Sequence, residues 1–172
     1  GSDGTASSEP LYLGRYQILE RTAPDGMVID PEPKEITLSY AGQEVEITSA
    51  DVGFYNERQK VEISLQKLLE QDETFSIGMN EEWKNITFGL FAAEELTAIP
   101  ADGLLETTGI DENGNAIFKT DVPCGASLYV KEIGTDDHYI VSDEKYPVAF
   151  EYVGQDVAKV QIQANDGEAI EN

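Results

Sequence analysis

The sequence predicts an all-β protein, an antiparallel β-sandwich module that occurs in tandem. Two observations lead to this prediction. Short segments alternate between apolar and polar residues, which is the period of a strand with one buried face. In addition, residues 14–43 and 125–155 share a pattern at an offset of 112 residues, from Glu20 to Glu132. Solenoid repeats have periods of roughly 20–50 residues, so this longer offset indicates consecutive small domains.

Nine segments carry the alternation, and each places its apolar side chains on one face. They are residues 16–20, 35–40, 45–48, 61–65, 86–91, 116–118, 128–130, 148–152 and 160–162. Turn-forming residues separate them: Pro24-Asp25-Gly26, Asp102-Gly103, Asn113-Gly114, Pro123-Cys124-Gly125 and Asp166-Gly167. Short strands at this spacing favour a sandwich. Residues 92–96 are expected to form a single helical turn, and we expect no long helix.

The repeated positions divide the chain into two copies of unequal length. The matched pairs are Glu20 and Glu132, Asp25 and Asp137, Glu32 and Glu144, Tyr40 and Tyr152, and Gly42-Gln43 and Gly154-Gln155. Residues 58–172 are expected to form a complete domain, the second copy. Residues 1–57, the first copy, hold only the later strands of such a domain. Because half a sandwich exposes an apolar face and strand edges, we expect the first copy to pack on its neighbour or exchange strands with a second chain.

Composition narrows the function classes. The 172 residues include 34 acidic and 11 basic ones, a formal net charge of -23. Nucleic-acid binding requires clustered basic residues and is therefore excluded, and adhesion to anionic membrane is disfavoured. We interpret the charge as the solvated surface of an exported protein; capture of a basic partner or Ca²⁺ is the less favoured interpretation. The single cysteine, Cys124, cannot form an internal disulfide. No apolar run is long enough to cross a membrane, and no signal peptide is visible.

Six segments, taken in order, resemble a known family. They are residues 16–26, 56–60, 61–67, 88–91, 111–118 and 128–132. Together they are similar to the Cna B-type (prealbumin-like, SpaA-type) domains of Gram-positive surface adhesins and pilins. The resemblance implies a prealbumin-like or immunoglobulin-like sandwich, with Cna B-type modules in tandem. It covers nearly the whole chain, although the second copy departs from the family at residues 135–139, where the turn sequence is altered.

The resemblance also implies a self-made covalent bond. In such domains a lysine on the first strand attacks the side-chain amide of an asparagine on the last strand, and a buried glutamate moves the protons. By position these residues are Lys67, Asn172 and Glu132. Burial in apolar surroundings favours the neutral, nucleophilic lysine that this chemistry needs. Asn165 is the alternative acceptor, although its place before Asp-Gly is typical of a turn residue.

The first copy retains only part of this set. Glu20 matches Glu132 and Asn56 matches Asn172, but the strand that would carry a lysine is absent from residues 1–57. The first copy is therefore not expected to close its own bond within this chain.

These observations favour a structural stalk or backbone repeat of a cell-surface adhesin or pilin, extracellular and attached to the cell wall, with neighbouring repeats as its partners. The alternative is a ligand-binding adhesin module that recognises a host matrix protein or glycan. In that case the contact would be the acidic face or residues 71–84, with Trp83 as the anchor. An enzyme is the least favoured class, because self-crosslinking is a single turnover. No cofactor or metal is expected: His138 stands alone, and Asp111-x-Asn113-x-Asn115 is a weak Ca²⁺ pattern that fits a hairpin turn better.

Overall fold

The computed structural model describes Gly1 and residues 3–171. Its ten strands confirm the all-β fold class, and the described residues contain no α-helix. The strands are β1 (Gly14–Ile18), β2 (Lys34–Leu38), β3 (Lys60–Leu68), β4 (Thr87–Ala92), β5 (Leu104–Gly109), β6 (Asn115–Phe118), β7 (Ser127–Gly134), β8 (Lys145–Ala149), β9 (Lys159–Gln163) and β10 (Ile170–Glu171). Two short 3₁₀ helices span Glu82–Asn85 and Asn165–Gly167.

The second copy is a sandwich of two sheets. One sheet has the order β5-β4-β7-β8, and all its pairs are antiparallel. In the other, β3 pairs with β6 on one side and with β9 and β10 on the other. The pairs of β3 with β9 and β10 are parallel, so this sheet is not purely antiparallel. The first and last strands of the second copy therefore lie side by side and point in the same direction.

The hydrophobic core lies between these two sheets. Every second residue of β3 faces it, as the strand period requires, and β4, β7 and β8 contribute from the opposite sheet. The most deeply buried apolar side chains are Ile63, Ile86, Phe88, Leu90, Phe118, Leu128, Val130, Phe150 and Ile170. All members of this core fall between residues 61 and 170.

The first copy is a two-stranded antiparallel sheet of β1 and β2. Its inward positions are only half-buried: Tyr16, Ile18, Ile36 and Leu38. Ala23 is the only fully buried apolar residue among the described residues before position 58. The first copy thus has the strands of a sandwich without a filled core.

Three local predictions differ from the structure. Residues 45–48 form no strand, since no neighbouring strand pairs with them. Residues 92–96 form no helical turn, and Leu96 instead makes an isolated bridge to Ile99. Strand β5 was not expected, because its residues lack the strict alternation of the other strands.

The predicted turn at Asn113-Gly114 is present and supports β3 directly. Gly114 has a φ of 80°, and a Cβ at this position would clash with the Lys67 carbonyl oxygen. The Lys67 amide donates to the Gly114 carbonyl at 2.8 Å. Glycine is therefore required here, and the turn holds the backbone of Lys67 in place.

Candidate functional site

Lys67 occupies the fourth inward position of β3, after Val61, Ile63 and Leu65. The strand period that buries these three residues also buries the lysine, which is 1% exposed. A lysine ammonium in an apolar core is unfavourable unless it is paired. Its burial is therefore informative about function.

Glu132 occupies the matching inward position on β7, after Leu128 and Val130. Its side chain has no exposure to solvent. One carboxylate oxygen, Oε2, accepts a hydrogen bond from the Ser142 backbone amide at 2.8 Å. The other oxygen, Oε1, points toward the opposite sheet.

The two side chains meet between the sheets. Lys67 Nζ lies 3.7 Å from Glu132 Oε1, which is beyond hydrogen-bonding distance. Among the described residues neither atom has a hydrogen-bond partner. Burial lowers the pKa of Lys67, and the charge of Glu132 opposes this shift only in part. A buried pair without a hydrogen bond between its two charged groups is a poor structural ion pair, but it suits an amine that must lose its proton.

The last strand, β10, pairs with the strand that carries Lys67. Ile170 of β10 lies opposite Lys67 in the parallel register, and Glu171 lies opposite Leu68. Asn172, the expected acceptor, lies outside the described residues. The alternative acceptor, Asn165, lies in the second 3₁₀ helix with a φ of 57°, and its Nδ2 donates to the Glu168 carbonyl at 3.3 Å. Asn165 is thus found in a turn, as its sequence context indicated.

The first copy contains a glutamate and an asparagine at the positions that match Glu132 and Asn172. Glu20 Oε2 accepts hydrogen bonds from Asn56 Nδ2 at 2.6 Å and from the Asp30 amide at 2.9 Å. Asn56 Nδ2 also donates to the Val28 carbonyl at 3.0 Å. The predicted glutamate–asparagine pair of the first copy is therefore in direct contact.

Both glutamates are held in the same way. In each copy Oε2 accepts a hydrogen bond from the backbone amide ten residues later, Asp30 for Glu20 and Ser142 for Glu132. Sequence reasoning missed this backbone donor, because a main-chain amide carries no residue-type signal. The glutamate strand and the turn after it therefore form one local structure that occurs in both copies.

Other residues singled out in the sequence have ordinary structural positions. Trp83 is half-buried and packs against the core. The Asp111 carboxylate accepts hydrogen bonds from the amides of Asn113 and Asn115, which closes the turn between β5 and β6. His138 Nδ1 contacts Asp136 at 2.5 Å, and Cys124 is exposed. Within Gly1 and residues 3–171, no three potential metal ligands cluster together, and no helix has the length and apolarity needed to span a membrane.

Comparisons with known proteins define what this fold resembles. No family model matches the sequence. No curated protein matches it either. Among solved structures, the Bacillus anthracis TIE protein is similar over 90% of this chain, with a TM-score of 0.54 and 23% identity. BcpA, the major pilin subunit of Bacillus cereus, is similar over 63% of this chain and 31% of its own, with a TM-score of 0.35 and 19% identity.

The similarity to the TIE protein concerns the fold alone, since the sequence identity is low. This chain matches 25% of that protein's length. An all-β sandwich protein with a buried lysine–glutamate pair is therefore the class that the fold and the site define.

Proposed function

We propose that residues 58–172 form a Cna B-type domain that closes an isopeptide bond between Lys67 and Asn172, with Glu132 as the proton carrier. One observation above all supports this proposal. A lysine amine that is 1% exposed lies 3.7 Å from a buried carboxylate, without a hydrogen bond among the described residues. Such a pair is costly as a structural feature, and the cost is removed if the lysine becomes a neutral amide.

The reaction needs no external reagent. The neutral amine of Lys67 attacks the side-chain carbonyl carbon of Asn172, and a new C–N bond forms. Glu132 takes the proton from Nζ and passes it to the departing nitrogen. The original C–N bond of the carboxamide breaks, and ammonia leaves. A primary amine and a primary amide thus become a secondary amide and ammonia, with every atom accounted for.

The strand arrangement supports the proximity that this reaction requires. Strands β3 and β10 are neighbours, with Ile170 opposite Lys67. Holding two reacting groups together can supply roughly 7–11 kcal/mol of the barrier. The contact between Glu20 and Asn56 also supports the proposal, because it is the glutamate–asparagine contact that the second copy would need.

The bond would give the domain its mechanical role. It would join the first and last strands, so that a pulling force could not separate them without breaking a covalent bond. The chain has no internal disulfide that could do this. We therefore propose a stalk or backbone repeat of a pilin-like or adhesin-like protein on a Gram-positive cell surface, anchored to the cell wall, with neighbouring repeats as its partners.

The intact mass of the purified chain tests the chemistry. We expect the chain to be lighter than its sequence by one ammonia, and we expect the full mass in Lys67→Ala, Glu132→Gln and Asn172→Ala. The matched controls are Lys60→Ala, an exposed lysine on the same strand, and Asn56→Ala in the first copy; both should keep the deficit. If Asn165→Ala, and not Asn172→Ala, restores the full mass, the acceptor is Asn165. A full mass for the unaltered chain would refute the proposal.

A second candidate function is ligand binding by residues 71–84. Phe75 is 75% exposed and Met79 is 50% exposed in this segment. Exposed apolar side chains on a loop favour contact with a host matrix protein or glycan. Immobilised matrix proteins and a glycan array would test it: binding that is lost in Phe75→Ser supports the adhesin function, and no binding leaves the stalk function alone.

A further inference from the structure

The two copies are joined by a loop of the second copy that holds a turn of the first. We call Tyr152–Val157 the socket and residues 21–29 the plug. Gln155 Oε1 accepts from the Ala23 amide at 2.9 Å, and Gln155 Nε2 donates to the Arg21 carbonyl at 3.1 Å. The Gln155 carbonyl accepts from the Ile29 amide at 3.0 Å. One socket glutamine thus makes three hydrogen bonds to the plug backbone.

A fourth hydrogen bond joins the socket to the plug. The Tyr152 hydroxyl donates to the Met27 carbonyl at 3.1 Å. In all four bonds the plug contributes only backbone groups. The socket therefore recognises the shape of the plug turn and tolerates changes in its side chains.

The first copy carries a closely similar socket sequence, identical at four of six positions. Residues 152–157 read Tyr-Val-Gly-Gln-Asp-Val, and residues 40–45 read Tyr-Ala-Gly-Gln-Glu-Val. The backbone also matches: φ is 115° at Gly42 and 116° at Gly154. The Val45 amide donates to the Gly42 carbonyl at 3.3 Å, and Val157 donates to Gly154 at 3.5 Å. Residues 40–45 therefore have the loop shape that holds the plug in the second copy.

The socket of the first copy, residues 40–45, has no occupant among the described residues. Tyr40 is 68% exposed, whereas its counterpart Tyr152 is half-buried against the plug. Gln43 is also exposed, and its side chain makes no hydrogen bond within Gly1 and residues 3–171. The groups that bind the plug in the second copy are thus available in the first.

We propose that residues 40–45 are the docking site for the plug turn of a preceding repeat. At the junction inside this chain, residues 152–157, with a closely similar sequence and the same glycine conformation, hold such a turn. Each repeat would then receive the turn of the repeat before it. Successive repeats would adopt one relative orientation, as a head-to-tail contact generates an extended array. The proposal is independent of the isopeptide bond.

The first test asks whether the socket sequence of the first copy can hold a plug. Val153→Ala together with Asp156→Glu makes the socket of the second copy, residues 152–157, identical in sequence to residues 40–45. We expect hydrogen-exchange protection of the Ala23 and Ile29 amides to stay within about threefold of the unaltered chain. Adding Gln155→Ala to this variant should abolish the protection of Ala23. Loss of protection in the double variant itself would overturn the proposal, because the two sockets would then not be equivalent.

The second test supplies a plug to the open socket. A copy of residues 19–30 is joined ahead of Gly1 by a flexible Gly/Ser linker, which gives an effective concentration on the order of millimolar. We expect the NMR amide signals of Gly42 and Gln43 to shift. The shifts should vanish in Gln43→Ala and persist in Gln17→Ala, a control glutamine on β1.

Two results would overturn the assignment. The first is a chain whose Gly42 and Gln43 signals do not move when the plug is attached. The second is self-association of the unaltered chain that disappears in Gln43→Ala, because the occupant would then be a second copy of this chain and not a preceding repeat.

Discussion

The two copies hold complementary parts of one site. In the second copy the buried side chains of Lys67 and Glu132 lie close together, whereas in the first copy Asn56 contacts Glu20 and no lysine strand is present. In both, the glutamate is fixed by a backbone amide ten residues later. The comparison shows that the glutamate position is built by its own strand and turn. It does not depend on the lysine strand.

Packing differs between the copies far more than local conformation does. Val130 and Phe150 are completely buried in the second copy, whereas Ile18 and Leu38, at the same offset, are only half-buried. Ile18 and Val130 lie on β1 and β7, while Leu38 ends β2 and Phe150 directly follows β8. Strand formation thus follows from the local sequence pattern, but burial requires the opposing sheet that β3 and its neighbours supply.

We expect the covalent bond to make the largest difference in unfolding free energy between the two copies. We expect Asn172→Ala to lower the unfolding free energy of the second copy by about 4–5 kcal/mol, since a crosslink that closes a loop of about 100 residues stabilises by this amount. Lys67→Ala should cost less, because it also removes a buried amine. Guanidinium unfolding followed by Trp83 fluorescence measures both. Equal midpoints for Asn172→Ala and the unaltered chain would mean that no bond forms to Asn172.

The packing comparison predicts the next largest effect. Phe150→Ala should cost about 3–5 kcal/mol, because a buried aromatic side chain leaves a cavity. Leu38→Ala, at the equivalent position of the first copy, should cost about 1 kcal/mol, as less apolar area is lost. Denaturant unfolding of the two variants gives both values. Similar costs would contradict the view that the first copy lacks a filled core.

The junction between the copies predicts a smaller effect. Gln59 is 1% exposed, donates to the Gly154 and Val157 carbonyls, and accepts from the Val153 amide. Gln59→Ala removes these three hydrogen bonds to the loop backbone, and should cost about 1–3 kcal/mol.

Gln66→Ala, at an exposed glutamine on the adjoining strand β3, is the control and should have little effect. Hydrogen exchange at the Val153 amide should accelerate only in Gln59→Ala. Acceleration in both variants would indicate a general loosening of β3 and not the loss of these hydrogen bonds.

The sequence predicted much of the fold because alternation is a strong signal where one face is buried. It predicted the position of β3, β4, β7 and β9 for this reason. Residues 45–48 show the same alternation and yet form no strand, since alternation alone does not supply a neighbouring strand. Strand β5 was missed because its Leu-Leu-Glu-Thr-Thr sequence has no clear period.

The site was less accessible to sequence reasoning. Lys67 and Glu132 came from a resemblance to a known family, and the structure places them close together. The roles of Gln59 and Gln155 were missed, although Gln155 lies in the repeated Gly-Gln pair. A polar loop residue carries no periodic signal, and its partners lie far away in the sequence, so only the folded chain reveals that it is a junction.

The smallest effect concerns the charge of Lys67 when no bond has formed. In Asn172→Ala the buried amine has a lowered pKa, because burial disfavours the ammonium form. The unfolded chain keeps this proton up to about pH 10.5, whereas the folded chain releases it at a lower pH. Between these values the unfolded state binds more protons, so stability rises with pH by at most about 1.4 kcal/mol per unit.

The variant that combines Asn172→Ala with Lys67→Met lacks this dependence of stability on pH. We therefore expect the double variant to be the more stable at neutral pH, and its advantage to shrink as the pH approaches 10.5. Lys60→Met in the same background should show no such trend, since Lys60 is exposed. Unfolding free energies measured from pH 7 to 10.5 would test this, and a constant difference between the two variants would show that burial does not shift the pKa of Lys67.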